Sequence, residues 1–305
     1  MDNRLFPYSP LPERRAIRWP GGARVAFYLG LNIEHYQIDK PSTSIFPGTA
    51  ALVPDALNYG WRDYGVRVGL WRMLTSLDRH GVRASALVNS AVCRHYPQII
   101  RAGLERQWAW IAHGRNNSTL QTGMSRDEER AYLADIVETI AAATHRRPRG
   151  WMGPALTESF ETPSLLAELG LNYTLDWTND DQPYELSVAG VLSVPYSIEL
   201  NDVTMFASKS YTGPEFLQAV CDQLDQLWKE AGDSGRVMAL CVHPFCSGQA
   251  FRSKYFDQAL EYIAHHHGVW LATSDEIAEA YRRQRNAADA TAGSTLPRVA
   301  PTGGA

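Results

Sequence analysis

Short apolar runs alternate with segments of helical periodicity along most of the chain. The runs are rich in valine, isoleucine, leucine and aromatic residues and end at glycine, proline or asparagine, which is typical of buried strands. The predicted strands are residues 24–33, 83–89, 108–112, 150–153, 172–177, 191–196, 237–243 and 268–273. The predicted helices are residues 66–80, 94–106, 125–143, 162–169, 213–231, 253–267 and 274–285. Helix-start signals at Ser125, Pro163 and Ser274 support three of these helices.

This alternation predicts an α/β protein, specifically a distorted (β/α) barrel of about seven strands, because parallel strands joined by helices bury both faces of their sheet. An open doubly wound sheet is the alternative, although no glycine-rich phosphate-binding motif follows any strand. Residues 1–284 are expected to form one catalytic domain. Residues 37–65 are predicted to be an ordered loop that serves as a lid or a subunit contact. The small, polar residues of 285–305 predict a disordered tail.

The composition excludes several classes of protein. The chain has 305 residues, of which 45% are hydrophobic and 20% charged, so it can bury a large core. A formal net charge of -4 gives no basic footprint for nucleic acid. No run approaches the roughly 18 apolar residues of a membrane span, and the N-terminal residues do not resemble a signal peptide, so we expect a cytoplasmic protein. The four cysteines show no CxxC spacing and are expected to be reduced thiols.

Titratable side chains follow several of the apolar runs. Glu34 and His35 end the first run, and His113, Asp176 and His243 occupy similar positions in later runs. Because the carboxyl ends of barrel strands converge on one mouth, we expect these side chains to meet one ligand. In an extended strand Glu34 and His35 would point to opposite sides unless the strand breaks there. For Asp176 two roles stay open, which are orienting a histidine and capping a backbone group.

Further motifs occur in a characteristic order through nearly the whole ordered chain. They are Tyr64–Arg72, His113-Gly114, Pro148–Trp151, Thr162–Gly170, Asp180–Tyr184, Pro195–Asp202 and Gly268–Ala272. In number and order they resemble the polysaccharide deacetylase (NodB-homology, carbohydrate esterase) superfamily, and within it the branch of metal-independent allantoinases and cyclic imide hydrolases. The resemblance implies a distorted barrel with fewer than eight strands that hydrolyses a C–N amide bond.

The chain departs from the sugar deacetylases of this superfamily at its metal site. Their first motif has two adjacent aspartates, a base and a metal ligand, where this chain has Glu34 and His35. Their second motif places another ligand histidine four residues after the first, where Asn117 follows His113. The resemblance therefore implies His35, His113 and Asn117 as the metal set. Since an amide oxygen is a weak ligand for zinc, two possibilities stay open, no cofactor or one divalent metal.

The predicted reaction opens a small cyclic amide, imide or ureide. Glu34 would act as general base on water, His113 would hold water and carbonyl, and His243 would protonate the leaving nitrogen. The residues expected to bind substrate are His35, Arg67, Asn117, Arg149, Trp151, Asp176, Asp180 and Arg252. The alternatives are a metal-dependent deacetylase of N-acetylated sugars or other acyl amides, and a catalytically inactive homologue that binds sugars or small molecules. The expected partners are a small-molecule substrate and further copies of the chain in a homo-oligomer.

Overall fold

The computed structural model describes residues 3–294. Its strands are β1 Val25–Ile33, β2 Ala84–Val88, β3 Ala109–Ala112, β4 Gly150–Trp151, β5 Tyr173–Thr174, β6 Tyr184–Glu185, β7 Leu192–Ser193, β8 Arg236–Val242 and β9 Val269–Leu271. Its helices are α1 Ala56–Tyr64, α2 Leu70–His80, α3 Ser90–His95, α4 Pro97–Glu105, α5 Arg126–Thr144, α6 Thr162–Glu168, α7 Gly213–Glu230, α8 Ala250–His265 and α9 Ser274–Ser294. Within residues 3–294, none of these helices combines the length and the apolar character needed to cross a bilayer.

The strands form one curled sheet. Their order is β6-β7-β5-β4-β3-β2-β1-β8, and β9 pairs with the first residues of β1. Every pair is parallel except β6 with β7. Strand β1 lies at the centre of the fold, and all nine of its residues are buried. The architecture is the distorted (β/α) barrel that the sequence predicted, with the short antiparallel strand β6 as an unpredicted addition.

Alternate residues of each strand face two separate cores. In β1, Phe27, Leu29 and Leu31 pack in the core that includes the helices, whereas Tyr28 packs in the core inside the curl of the sheet. This alternation follows from the pleat of a strand, in which neighbouring side chains point to opposite faces. Side chains with the parity of Tyr28 therefore enter the interior, and Glu34 continues that series just after the strand.

Two predicted boundaries were wrong. Residues 37–65 are not a loop throughout, because α1 begins at Ala56 with the Asp55 side chain accepting from the backbone N–H of Asn58. Glycines at 60 and 65 lower the helical propensity of this segment and conceal the helix from a sequence reading. At the other end of the chain, α9 continues to Ser294 through an alanine-rich stretch, so residues 285–294 are not the predicted disordered tail. Residues 295–305 lie outside the described part of the chain.

Candidate active site

Three of the predicted catalytic side chains meet at the carboxyl ends of the strands. The Nε2 atoms of His113 and His243 lie 3.3 and 3.6 Å from Oε1 of Glu34. The three side chains are almost fully buried, with exposed fractions of 1%, 10% and 4% for His113, His243 and Glu34. Each has the parity of the inward-facing residues of its strand, β3, β8 or β1. The pleat of three parallel strands is therefore sufficient to bring them together.

Glu34 accepts hydrogen bonds on both carboxylate oxygens. The Tyr36 hydroxyl donates to Oε2, and the Asn117 amide donates to Oε1. Burial raises the pKa of Glu34, but the charge of His243, the neighbouring His113 and the hydrogen bond from Tyr36 lower it by more, so the net pKa lies below its ordinary value. The site therefore holds Glu34 as a carboxylate, the form that a general base requires.

The partners of both imidazoles determine where their protons lie. Nδ1 of His113 is 2.8 Å from the Met152 carbonyl, which only accepts, and Nδ1 of His243 is 2.7 Å from the Asp202 carboxylate. Both Nδ1 atoms therefore donate, and both Nε2 atoms face Glu34. Burial lowers the pKa of His243, but the charges of Glu34 and Asp202 raise it by more, so its net pKa is raised. The geometry favours a Glu34 carboxylate beside a His243 imidazolium.

Asp202 is the principal residue that the sequence reading left out of the site. It is completely buried, and its Oδ2 accepts from the backbone N–H groups of His243 and Ser247 at 2.8 and 3.0 Å and from the Ser247 hydroxyl at 2.6 Å. Asp202 thus fixes the backbone and the ring of His243 together. The available signal was its place at the end of the Pro195–Asp202 motif, although no strand end marks it.

Tyr36 and Arg62 connect the 37–65 segment to the site and were also missed. The Arg62 guanidinium lies 4.7 Å from the centre of the Tyr36 ring and donates to the Thr43 carbonyl at 2.6 Å. Thr43 in turn lines the cavity above Glu34. The segment therefore forms part of the wall of the site, and a buried arginine secures it.

Arg67, which was predicted to bind substrate, is not among the residues that line the cavity. It lies in a π-helical turn, Gly65–Gly69, its side chain is 73% exposed, and it pairs with Asp63 at 3.4 Å. Arg62, by contrast, is buried, because the unpredicted helix α1 turns it inward.

The cavity above the three catalytic side chains is small. Its volume is ≈ 250 Å³, and among the residues that the structure describes no lysine or arginine lines it. The lining residues are Asn32, Glu34, Thr43, His113, Asn117, Met152, Ala155, Leu156, Tyr196, Ile198, Asn201, Val203, Thr204, His243 and Phe245. Such a surface suits a compact, uncharged molecule with hydrogen-bonding groups.

One wall of the cavity has a strained backbone. Ala155 and Leu156 both have positive φ angles, 55° and 57°, which non-glycine residues adopt only at a cost. The N–H groups of Leu156 and Thr157 donate within this turn, to Gly153 and Pro154. The Ala155 N–H has no hydrogen-bond acceptor within residues 3–294, and Ala155 lines the cavity.

Trp151 and Arg149 were predicted to bind substrate, but neither lines the cavity. Trp151 is fully buried in the core that includes the helices, because the next residue along, Met152, takes the inward-facing position. Arg149 precedes β4 and pairs with Glu279 at 3.3 Å. It lines a different hollow, of ≈ 480 Å³, near the amino ends of β2, β3 and β4.

Asp180 and Arg252 also lie outside the cavity lining. The Asp180 carboxylate accepts from Arg14 at 2.6 Å, which fastens the N-terminal segment to the barrel. Arg252 lies in the first turn of α8, and its guanidinium is 4.2 Å from the centre of the Phe206 ring. Both residues have structural partners, which accounts for their polar character without a substrate.

Asp176 caps a backbone group, which is one of the two roles that the sequence left open for it. Its Oδ1 accepts from the Gly153 N–H at 2.8 Å, and its Oδ2 accepts from the Thr174 hydroxyl at 2.7 Å. It is buried and is not among the residues that line the cavity. Asp176 therefore caps the backbone beside His113 rather than touching a ligand.

His35 points away from the catalytic group. Its ring stacks on His95 with centres 4.4 Å apart, and its Nδ1 lies 3.0 Å from the Tyr96 hydroxyl. Neighbouring side chains continue to point to opposite faces beyond the end of β1, so His35 points to the outer face when Glu34 points inward. His35 does not join the cavity lining.

The predicted metal set is consequently not assembled. Asn117 does lie in the cavity, but its Nδ2 faces Glu34 and its Oδ1 accepts from Asn89 at 2.9 Å, so its oxygen is already used. Between residues 3 and 294, no group of three or more histidine, cysteine, aspartate or glutamate side chains is arranged to hold a metal ion. The donors present do not fit a zinc site of the predicted composition.

The chain is similar in sequence to known polysaccharide deacetylases. Residues 61–174 match the family model described as Polysaccharide deacetylase. A curated protein of Schizosaccharomyces pombe named "Putative polysaccharide deacetylase" is 25% identical over 241 residues, which are 72% of this chain and 74% of that protein.

Two solved structures share the fold. A "probable Polysaccharide deacetylase" from Pseudomonas aeruginosa PAO1 has a TM-score of 0.80 and 24% identity, covering 89% of this chain and 95% of its own. The Puue allantoinase has a TM-score of 0.79 and 23% identity, covering 89% of this chain and 94% of its own. At these identities the two structures establish the fold and leave the substrate open.

Proposed function

We propose that this chain, in which residues 61–174 match the polysaccharide deacetylase family model, is a hydrolase of C–N bonds that opens a small cyclic amide, imide or ureide with base-activated water. The observation that carries the proposal is the convergence of Glu34, His113 and His243 on the floor of a ≈ 250 Å³ cavity. A carboxylate, an imidazole and an imidazolium can supply the general base, the acceptor that orients water and the general acid for hydrolysis of an amide.

The size and polarity of the cavity favour a small ring over a sugar chain. Pockets for drug-sized ligands have volumes of about 300–1,000 Å³, and this cavity lies below that range. Its polar lining consists largely of amide and hydroxyl side chains, which match the alternating N–H and C=O groups of an imide or ureide.

In the proposed reaction Glu34 removes a proton from water while the water oxygen attacks the carbonyl carbon. Nε2 of His113 carries a lone pair when its Nδ1 donates to Met152, so it accepts the second hydrogen of the water and aligns it. Tyr36 and Asn117 keep the carboxylate oriented for this transfer.

The attack places a negative charge on the former carbonyl oxygen. We assign the Ala155 N–H, which has no acceptor within residues 3–294, as a donor to that oxyanion. The His243 imidazolium then gives its Nε2 proton to the ring nitrogen as the C–N bond breaks. The product carries a new carboxyl group and a new N–H, and the proton held by Glu34 returns to solvent or to His243.

Deacetylation of an N-acetylated sugar is the alternative, and the descriptions of the Schizosaccharomyces and Pseudomonas proteins favour it. It would use the same attack of water on an acyl carbon. An exocyclic acetyl group would have to reach Glu34 while the sugar stayed outside a cavity of this size. The contacts of Asn117 and His35 also leave the predicted metal set without two of its ligands.

A panel of substrates distinguishes these possibilities. Purified protein is assayed with allantoin, hydantoin, succinimide and an N-acetyl sugar, each with and without a chelator. We expect ring opening of at least one cyclic compound, unchanged by the chelator. Turnover of the N-acetyl sugar alone would refute the proposal, and binding without turnover of any compound would indicate an inactive homologue.

A further inference from the structure

We propose that Asp176 is a positioning residue for His113 and that it acts through the peptide group between Met152 and Gly153. The consequence for turnover rests on the proposed function, whereas the positioning itself does not. The proposal is based on one planar peptide group that hydrogen-bonds to His113 at its carbonyl and to Asp176 at its N–H. Its carbonyl accepts from Nδ1 of His113 at 2.8 Å, and its N–H donates to Oδ1 of Asp176 at 2.8 Å.

A carboxylate at the N–H end of a peptide strengthens hydrogen bonding at the carbonyl end. The peptide is a conjugated plane, so negative charge beside the N–H shifts electron density toward the oxygen. Hydrogen bonds in such a chain polarise one another, most strongly in a buried site. Asp176 therefore reinforces the contact that keeps the His113 proton on Nδ1, although the two side chains do not touch.

The sheet explains why these two side chains share one peptide. Strand β4 lies between β3 and β5, and its ladder ends at Met152, whose N–H donates to the last residue of β3 at 2.9 Å. On the other side, the N–H of Leu175 donates to the last carbonyl of β4 at 2.9 Å. Beyond those bonds the His113 and Asp176 side chains replace the missing backbone partners. The two side chains therefore continue the hydrogen-bond pattern of the parallel strands beyond the last backbone bonds.

A second carboxyl group accompanies Asp176. Burial raises the pKa of Glu158, and the neighbouring Asp176 raises it further, while burial also raises the pKa of Asp176. Gly153 and Thr174 donate to Asp176, whereas neither oxygen of Glu158 has a hydrogen bond of ordinary geometry to any residue in the described range 3–294. The negative charge of the pair therefore resides on Asp176, where the peptide needs it.

This arrangement directs the lone pair of His113. With Nδ1 held by Met152, Nε2 faces Oε1 of Glu34 at 3.3 Å. If the carbonyl bond weakens, the neutral ring is free to take the Nε2–H tautomer, which offers a donor where the attacking water needs an acceptor. Loss of the Asp176 charge should thus impair the chemical step more than the binding of substrate.

The test replaces Asp176 by asparagine, which retains an oxygen for the Gly153 N–H and removes the charge. The first readout is ¹⁵N–¹H NMR of histidine-labelled protein, with the His113 signal assigned by its absence in His113→Gln. We expect the Nδ1–H resonance of His113 to move upfield and to exchange faster with water. Asp180→Asn, which changes a carboxylate paired with Arg14 outside the cavity, is the matched control and should leave the resonance unchanged.

The second readout is kinetic. We expect kcat of Asp176→Asn to fall about 10–100-fold, the range found for partners that orient a functional histidine, with KM changed less than about 2-fold. An unaltered His113 resonance in the folded variant would overturn the proposal, as would a change confined to KM. The NMR result needs no substrate, so it decides the positioning even if every compound of the panel proves inert.

A milder variant covers the case in which Asp176→Asn does not fold. Thr174→Val keeps the shape of the side chain and removes two hydrogen bonds from Asp176, the one that Oδ2 accepts and the one that the backbone N–H donates. Because the bond to Oδ2 lowers the pKa of Asp176, its loss leaves less of this carboxyl ionised, so the His113 resonance should shift in the same direction by a smaller amount. If the His113 resonance is unshifted in this variant, the positioning role of Asp176 is contradicted.

Discussion

Replacement of Asp202 by asparagine tests the proposed protonation state of His243. The Asp202 carboxylate accepts four hydrogen bonds in a completely buried position, from Nδ1 and the backbone N–H of His243 and from the hydroxyl and backbone N–H of Ser247. An asparagine of the same shape keeps one oxygen, which can still accept the three bonds made to Oδ2. Its NH₂ group then opposes the Nδ1–H of His243.

The structure sets the size of both effects. Bonds to a charged acceptor contribute about 1.5–3 kcal/mol and neutral ones about 0.5–1.5, so three bonds that lose their charge should lower the free energy of unfolding by about 3 kcal/mol. The imidazole should also change to the tautomer with hydrogen on Nε2, because Nδ1 must then accept from the amide. A neutral ring in place of an imidazolium should lower kcat at pH 7.5 by about 10²–10⁴-fold, the usual contribution of a general acid.

The assay is the pH dependence of kcat/KM for whichever cyclic substrate is turned over, with urea unfolding measured in parallel. The raised pKa of His243 places the alkaline limb of the wild-type profile above the ordinary histidine value of about 6.5. In Asp202→Asn that limb should move to lower pH, while Asp180→Asn leaves it in place. An unmoved limb with activity within about threefold of the wild type would show that His243 is not the acid.

Three other perturbations have defined outcomes. Tyr36→Phe removes the donor to Oε2 of Glu34, so the lowered pKa of that carboxylate should rise and the acidic limb of kcat/KM should move to higher pH; an unchanged limb would contradict the assignment of Glu34 as base. Gly114→Ala combines a φ of 66° with a Cβ 2.3 Å from Cγ of Pro154, so urea unfolding should show a loss of about 2–5 kcal/mol. Gly123→Ala, with a φ of 86° and open space, should lose only about 1–2 kcal/mol, and equal losses would refute the steric argument. His243 has a raised pKa in the fold, so its stabilisation is complete below its unfolded pKa of about 6.5 and is lost as pH rises through the folded pKa. The difference in unfolding free energy between wild type and His243→Asn should therefore shrink from pH 6 to pH 9, and a growing difference would reverse the assigned sign.

The features that the sequence predicted correctly depend on local periodicity. The apolar runs marked β1, β3 and β8, and the period of two along each run carries Glu34, His113 and His243 to the inner side of the sheet. The same rule explains two of the errors. His35 and Trp151 are each one residue out of phase with an inward-facing neighbour and therefore point to the other face.

The features that the sequence did not predict depend on contacts between distant segments. Asp202 acts on His243 across 41 residues, and no periodic pattern marks a buried carboxylate in a turn. Arg62 reaches Tyr36 because α1 folds back over the end of β1. Arginines 67, 149 and 252 looked equally suitable for binding substrate in the sequence, and only their ion pairs and ring contacts show that they are already engaged.

The central claim is that the Glu34 carboxylate activates water in this cavity, and Glu34→Gln tests it most directly. The measurement is kcat for the best cyclic substrate, together with the urea midpoint to confirm folding, and Glu161→Gln, a half-exposed carboxylate paired with Arg126, is the control. We expect a folded Glu34→Gln variant with kcat lowered by at least about 10²-fold and a control with wild-type activity. A folded Glu34→Gln variant that retains kcat within about threefold of the wild type would contradict it.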